Sequence, residues 1–237
     1  MLTLKCLGTG SSGNCYFLTD ESGQILILDL GIPVMDIKKA LNFDLTNVVG
    51  ALCTHGHLDH SKSVDDVELM GIEVYAPYEM SDVPKSAHEI GNFKVFAFPV
   101  PHNGEICYGF LITNGNEKVV YCTDYEYVKF NFRTLGVNHF IVECNYQEKY
   151  VDRDIPNFEH KIKGHASLNT CKEFLKANET WHMQNVIIVH MGKGTCDPKE
   201  CVREIEKVVD AGVFVDYARP NEDYELTNKR LPFTEGD

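Results

Sequence analysis

The chain has 237 residues, 43% of them hydrophobic, and a formal charge of −13 from 22 basic and 35 acidic side chains. That length bounds one large domain or two small ones, the charge counts against a broad basic nucleic-acid surface, and no apolar run approaches the ~20 residues of a membrane span. Nine cysteines, odd in number and scattered without a paired framework, point to a reducing cytoplasm and away from disulfides.

In chain order, strands are predicted over 2–7, 15–19 and 25–30; the first reads as a strand and not as a secretory signal. Between the first two lies Leu7-Gly8-Thr9-Gly10-Ser11-Ser12-Gly13-Asn14. Such a turn allows close backbone approach and offers hydroxyl and N–H donors, although a tight hairpin would need the same glycines. A helix over 34–41 and a strand over 48–53 lead into Thr54-His55-Gly56-His57-Leu58-Asp59-His60. Extended backbone puts residues i and i+2 on one face, so His55 and His57 can grip one ion together. A turn after them aims Asp59 and His60 at a neighbouring position. Imidazole suits zinc or iron, and carboxylate tolerates manganese.

A helix over 63–70 and strands over 72–76, 93–100, 108–113, 118–122 and 139–143 follow, with Asn114-Gly115-Asn116 as a turn signal. Helices are expected over 167–177 and 198–209, the second capped by Asp197 with Pro198 at its first position. Strands over 186–190 and 213–217 complete the pattern. With no repeat or linker, residues 1–237 read as one domain, and the polar segment 220–237 as a loosely held tail. Cys6, Cys15, Cys53, Cys107, Cys122 and Cys144 read as small core residues. His88, His139, His160 and His182 read as surface or structural histidines. The segment bearing Lys161 and Lys163 reads as a loop, and Tyr125, Tyr127 and Tyr146 either stack on bases or pack at a rim.

H-x-H-x-D-H after a hydrophobic strand resembles the metallo-β-lactamase fold superfamily. The resemblance implies an α/β fold, an αββα sandwich of two mixed β-sheets flanked by helices. It also implies that further ligands come from distant strand ends: His102 in Pro99-Val100-Pro101-His102-Asn103, Asp124 in Tyr121-Cys122-Thr123-Asp124, and His190 after Val186-Ile187-Ile188-Val189. In that reading His55, His57 and His102 bind one divalent ion, Asp59, His60 and His190 a second, and Asp124 bridges them around a shared water or hydroxide. The interval from Asp124 to His190 leaves no room for the large inserted domain of the β-CASP nucleases.

Three segments resemble the WalJ (YycJ-like) subgroup of metal-dependent DNA exonucleases: the glycine–serine turn, Val142-Glu143-Cys144-Asn145, and Gly164-His165-Ala166-Ser167-Leu168-Asn169. The last also resembles an element of ribonuclease Z-type phosphodiesterases, but Leu168 shifts the match by one residue. The resemblance implies substrate contacts from Ser11, Ser12, Asn14, His165 and Ser167, with a helix start facing the phosphate. Asp59 would orient the nucleophile and accept its proton, and His165, paired with Glu143, would act as general acid. The implied function is hydrolysis of phosphodiester bonds with two zinc or manganese ions, iron being the third choice. The implied substrate is nucleic acid, DNA ahead of RNA, and a homodimer would supply a basic surface that the single acidic chain lacks. A small-molecule phosphodiesterase, a thioester or lactam hydrolase of the same fold, and a non-catalytic metal- or oxygen-binding module are the alternatives.

Overall fold

Strict alternation and short apolar runs produce the strands that the sequence announces. The computed structural model describes residues 1–83, 85–152, 154 and 158–226. In chain order the elements are β1 (Leu2–Gly8), β2 (Cys15–Thr19), β3 (Ile25–Leu28), α1 (Val34–Ala40), β4 (Val48–Leu52), α2 (Leu58–Ser61), α3 (Val64–Leu69), β5 (Val74–Tyr75) and β6 (His88–Ile90). Then come β7 (Phe93–His102), β8 (Glu105–Asn114), β9 (Glu117–Cys122), β10 (His139–Glu143), α4 (Phe158–Gly164), α5 (Leu168–Asn178), β11 (Asn185–Val189), α6 (Pro198–Glu206), β12 (Phe214–Tyr217) and β13 (Glu222–Leu226).

Two mixed sheets form, in the orders β13-β1-β2-β3-β4-β5 and β12-β11-β10-β9-β8-β7-β6. Three cores separate the layers. Leu4, Leu18, Leu28, Phe110, Tyr121 and Ile187 meet between the sheets. Ile37, Val64 and Val67 of α1 and α3 cover the first sheet, and Phe174, Leu175, Cys201 and Ile205 of α5 and α6 cover the second. The result is the αββα sandwich. Strands β10 and β11 are buried along their whole length and run parallel to their neighbours. Parallel strands covered on both faces read as unbroken apolar runs.

Asp197 caps α6 through Lys199 N and Glu200 N, with Pro198 in the first turn, as expected. Four elements differ from the sequence reading. The His160 segment is the helix α4 and not a loop; its periodicity is hidden because only Phe158 and Ile162 are large and apolar over its length. The short α2 and β6 carry too few residues to show a period. The expectation of a loose tail from 220 fails for its first part, because β13 pairs antiparallel with β1 and buries Tyr224 and Leu226. Residues 227–237 of that tail lie outside the described residues.

Candidate metal centre

The carboxyl ends of six strands converge on one edge of the sandwich, the usual place for a site in sheets with parallel strands. Strand β3 delivers Asp29, and β4 delivers Thr54, His55 and His57, with α2 adding Asp59 and His60. His102 ends β7, Asp124 follows β9, Glu143 ends β10 and His190 follows β11. Asp29, Asp124 and His190 adopt φ of 58°, 53° and 52°, a left-handed conformation uncommon outside glycine. Such a backbone costs of order 1–3 kcal/mol and persists where surrounding contacts enforce it.

Two donor nests result. In the first, His57 Nδ1 lies 3.0 Å from His55 Nε2 and 3.2 Å from His102 Nε2, and Asp124 Oδ2 is 3.7 Å from both Nε2 atoms. Zinc–nitrogen bonds of about 2.0–2.1 Å place tetrahedral donors about 3.3 Å apart, the spacing these four approach. In the second, Asp59 Oδ2 is 3.7 Å from His60 Nε2 and 3.6 Å from His190 Nε2, and Asp124 Oδ1 is 3.4 Å from His60 Nε2. Asp124 thus turns one oxygen to each nest. His190 Nε2 is buried without a hydrogen-bond partner, a cost that an ion would remove. The donor set and its spacing fit divalent cations.

The outward nitrogens are held by the protein. His55 Nδ1 is 3.0 Å from Thr54 Oγ1, His60 Nδ1 2.8 Å from Asp29 Oδ2, His102 Nδ1 2.6 Å from the Gly164 carbonyl, and His190 Nδ1 2.8 Å from Glu143 Oε1. Partners of this kind fix ring orientation and leave the other nitrogen free to ligate. Burial, reinforced by the neighbouring imidazole of His60, holds His55 well below the ordinary histidine range, and burial lowers His102. Burial opposes charge on His60 and His190 as well, but there the carboxylates prevail. Asp124 and Asp29 raise His60 well above its ordinary range, and Asp124, Asp59 and Glu143 bring His190 to about 10.

His165 stands beside the second nest, its ring stacked on His190 at 5.3 Å and its Nδ1 3.9 Å from Asp124 Oδ2. Glu143 is fully buried, and its Oε1 accepts from His165 Nδ1 at 2.8 Å and from Asn145 Nδ2 at 3.0 Å, besides holding His190. Its carboxylate thus holds two imidazoles at once from a fully buried position. The other expected substrate contacts fall elsewhere. Asn14 is buried and spent on structure: its Oδ1 accepts from Gly10 N at 2.8 Å, and its Nδ2 donates to the Asp59 carbonyl at 3.1 Å. Ser167 caps α5 by accepting from Thr170 N at 3.1 Å, so its hydroxyl is taken up by the helix start. Ser11 and Ser12 sit exposed on the turn. The glycines of that turn serve backbone packing. A Cβ on Gly13 would lie 2.5 Å from the oxygen of Gly31, which follows β3, and one on Gly31 itself would lie 1.8 Å from the Asp59 carbonyl oxygen.

Sequence reasoning missed Asp29 and Thr54, which orient ligands, and undervalued His160. The His160 ring lies 5.7 Å from His102 and 5.5 Å from His165, at the rim of the site. The only signal for Asp29 was a carboxylate ending an apolar strand. Tyr125 is buried, with its hydroxyl on the Glu143 carbonyl, so it has no free face for a base; Tyr127 is exposed.

Residues 8–71, which carry the H-x-H-x-D-H motif, match the family model for the Metallo-beta-lactamase superfamily. The chain is also similar to exodeoxyribonuclease YycJ of Bacillus anthracis, at 27% identity over 169 residues. That alignment takes in 61% of this chain and 63% of the relative, so the chain spans less than two thirds of that relative's length. Among solved structures, the metallo-β-lactamase fold protein YhfI from Bacillus subtilis superposes with a TM-score of 0.73 at 16% identity, covering 94% of this chain and 98% of that one. A diphosphatase from the PhnP family gives 0.65 at 15% identity, covering 94% and 96%. These two likenesses establish the fold.

Proposed function

We propose that this protein is a metal-dependent phosphodiesterase acting on nucleic-acid ends, DNA ahead of RNA. The observation that carries the reading is the pair of nests joined by Asp124, with His165 held beside them by Glu143. Zinc or manganese ions held by His55, His57 and His102 and by Asp59, His60 and His190, with Asp124 between them, would supply Lewis acidity and a nucleophilic water at neutral pH. Asp59 is the most open of the three carboxylates around the nests and is suited to orient that water and take its proton. His165, with Nδ1 occupied by Glu143, offers its other ring nitrogen to the leaving oxygen. His160 and Lys161 on α4 supply polar contact at the rim. The similarity to an exodeoxyribonuclease supports DNA as substrate. All nine cysteines are free, in keeping with a cytoplasmic setting, and among the described residues no helix is long and apolar enough to cross a membrane.

The test is a gel assay of the zinc- or manganese-loaded protein on end-labelled duplex DNA, single-stranded DNA and RNA, with bis(p-nitrophenyl) phosphate alongside. Progressive shortening of DNA is expected, and Asp59→Ala should lose at least ~10²-fold of it. Turnover of the small diester alone would move the function to a small-molecule phosphodiesterase, the second reading. The charge of −13 and the structural likeness to a PhnP-family diphosphatase favour that alternative.

A further inference from the structure

In the core between the second sheet and its helices, four cysteines converge from separate segments. Cys144 lies just past β10, Cys171 on α5, Cys196 ahead of α6 and Cys201 near the start of α6. The sulfurs of Cys144, Cys196 and Cys201 all lie within 4.8 Å of one another, and Cys196 Sγ is 3.1 Å from Cys201 Sγ. Cys171 is buried in the same core but is not one of the mutually close sulfurs. We propose that the thiols of Cys144, Cys196 and Cys201 form a third metal position, a thiolate zinc site separate from the His/Asp nests, with Cys171 of the same core the nearest candidate for a fourth ligand.

Zinc–sulfur bonds of about 2.3 Å place tetrahedral sulfurs about 3.8 Å apart, so the observed spacings need only small side-chain adjustment. Four residues separate Cys196 from Cys201, a C-x4-C spacing within the range used by structural zinc sites. All-sulfur donors select zinc and other soft ions, whereas the imidazole and carboxylate nests suit harder ones. Core packing explains single buried cysteines, but it does not require sulfurs to gather. Among the described residues no other three thiols come within this reach. A Cys196–Cys201 disulfide would need an external oxidant and would leave the nearby Cys144 sulfur unaccounted for. Cys196 is partly exposed and gives an ion its way in.

The site would brace the active centre from behind. Cys144 lies between Glu143 and Asn145, and Cys196 directly follows Thr195. Gly192 N donates to the Asn145 carbonyl at 2.8 Å, and Asn145 Nδ2 donates to the His190 carbonyl at 3.0 Å. An ion clamping Cys144, Cys196 and Cys201 would fix the segment that carries these bonds.

The experiment strips the full-length protein of metal under reductant, reloads it with Zn2+ or Co2+, and counts ions by elemental analysis. Three zinc ions per chain and a thiolate-to-cobalt charge-transfer band are expected. Cys196→Ser with Cys201→Ser should drop the count by one and abolish the band, while Asp59→Ala with His60→Ala should retain the band. Absence of the band in the wild-type protein would overturn the proposal whether or not the serine variant folds. So would thiols that react with Ellman's reagent equally fast with and without zinc, or a Cys196–Cys201 disulfide in the protein purified with reductant.

Discussion

Asp29 shows how much of the candidate metal centre lies behind its donor side chains. Fully buried, its carboxylate accepts from Thr54 N at 2.9 Å, Thr54 Oγ1 at 3.0 Å and the Tyr121 hydroxyl at 2.5 Å, and it holds His60 Nδ1. Asp29→Asn keeps the shape but replaces an acceptor oxygen with a donor facing those groups. Metal affinity should fall about 10–100-fold, measured by competition with a chromophoric chelator; unchanged affinity would assign Asp29 to folding alone. Ser167 offers the opposite case. As a helix cap, Ser167→Ala should cost about 1 kcal/mol in urea unfolding and leave kcat intact, whereas a substrate contact would show in KM. The candidate donors were legible because four of them, His55, His57, Asp59 and His60, crowd into one short motif. Asp29 was not, because its partners Thr54, His60 and Tyr121 stand 25, 31 and 92 residues away and meet it only when strands from both sheets are in place.

Among the elements, strands were read well and short helices badly. Strands such as β1 alternate buried and part-exposed residues without a break, whereas α2 spans only four residues. The turn that carries Asp59 and His60 is nonetheless firmly fastened. Asn14 N donates to the Asp59 carbonyl at 2.8 Å, Leu30 N donates to the His60 carbonyl at 2.7 Å, and Gly31 lies directly against the Asp59 backbone. Gly31→Ala should therefore push α2 away from the second nest. Loss of one nest ion is expected, with any ion at the cysteine cluster retained; an unchanged metal count would mean that the turn can shift without harm. The glycine–serine segment had two readings, phosphate cradle and tight turn, and its contacts favour packing against this turn. Spacing alone offered no means of choosing between them.

For the whole molecule, the buried charges set a pH window in the metal-free state. Burial works against the Glu143 carboxylate, but His165 and His190 more than offset it and bring it from an ordinary 4.5 down to about 2. A depressed acid contributes stability above its unfolded value and loses it as pH falls. His190 is raised from 6.5 to about 10, so its contribution is complete below 6.5 and lost as pH rises through about 10. His55 and His102, lowered from 6.5, act in the opposite sense and lose stability as pH falls below 6.5, so urea midpoints of the metal-free protein should peak near pH 6.5, with Glu143 adding to the fall below about 4.5. A profile still rising above pH 8 would contradict the His190 assignment. Metal loading at neutral pH should release protons, because ligation requires the neutral imidazole. The bond from His102 Nδ1 to the Gly164 carbonyl at the end of α4 has a further consequence. It joins a candidate metal ligand to the helix that carries His160 and Lys161, so an ion held there and the helix would be thermodynamically linked. A molecule that draws α4 inward when it binds would change the affinity of such an ion by some factor, and the ion would change that molecule's affinity by the same factor.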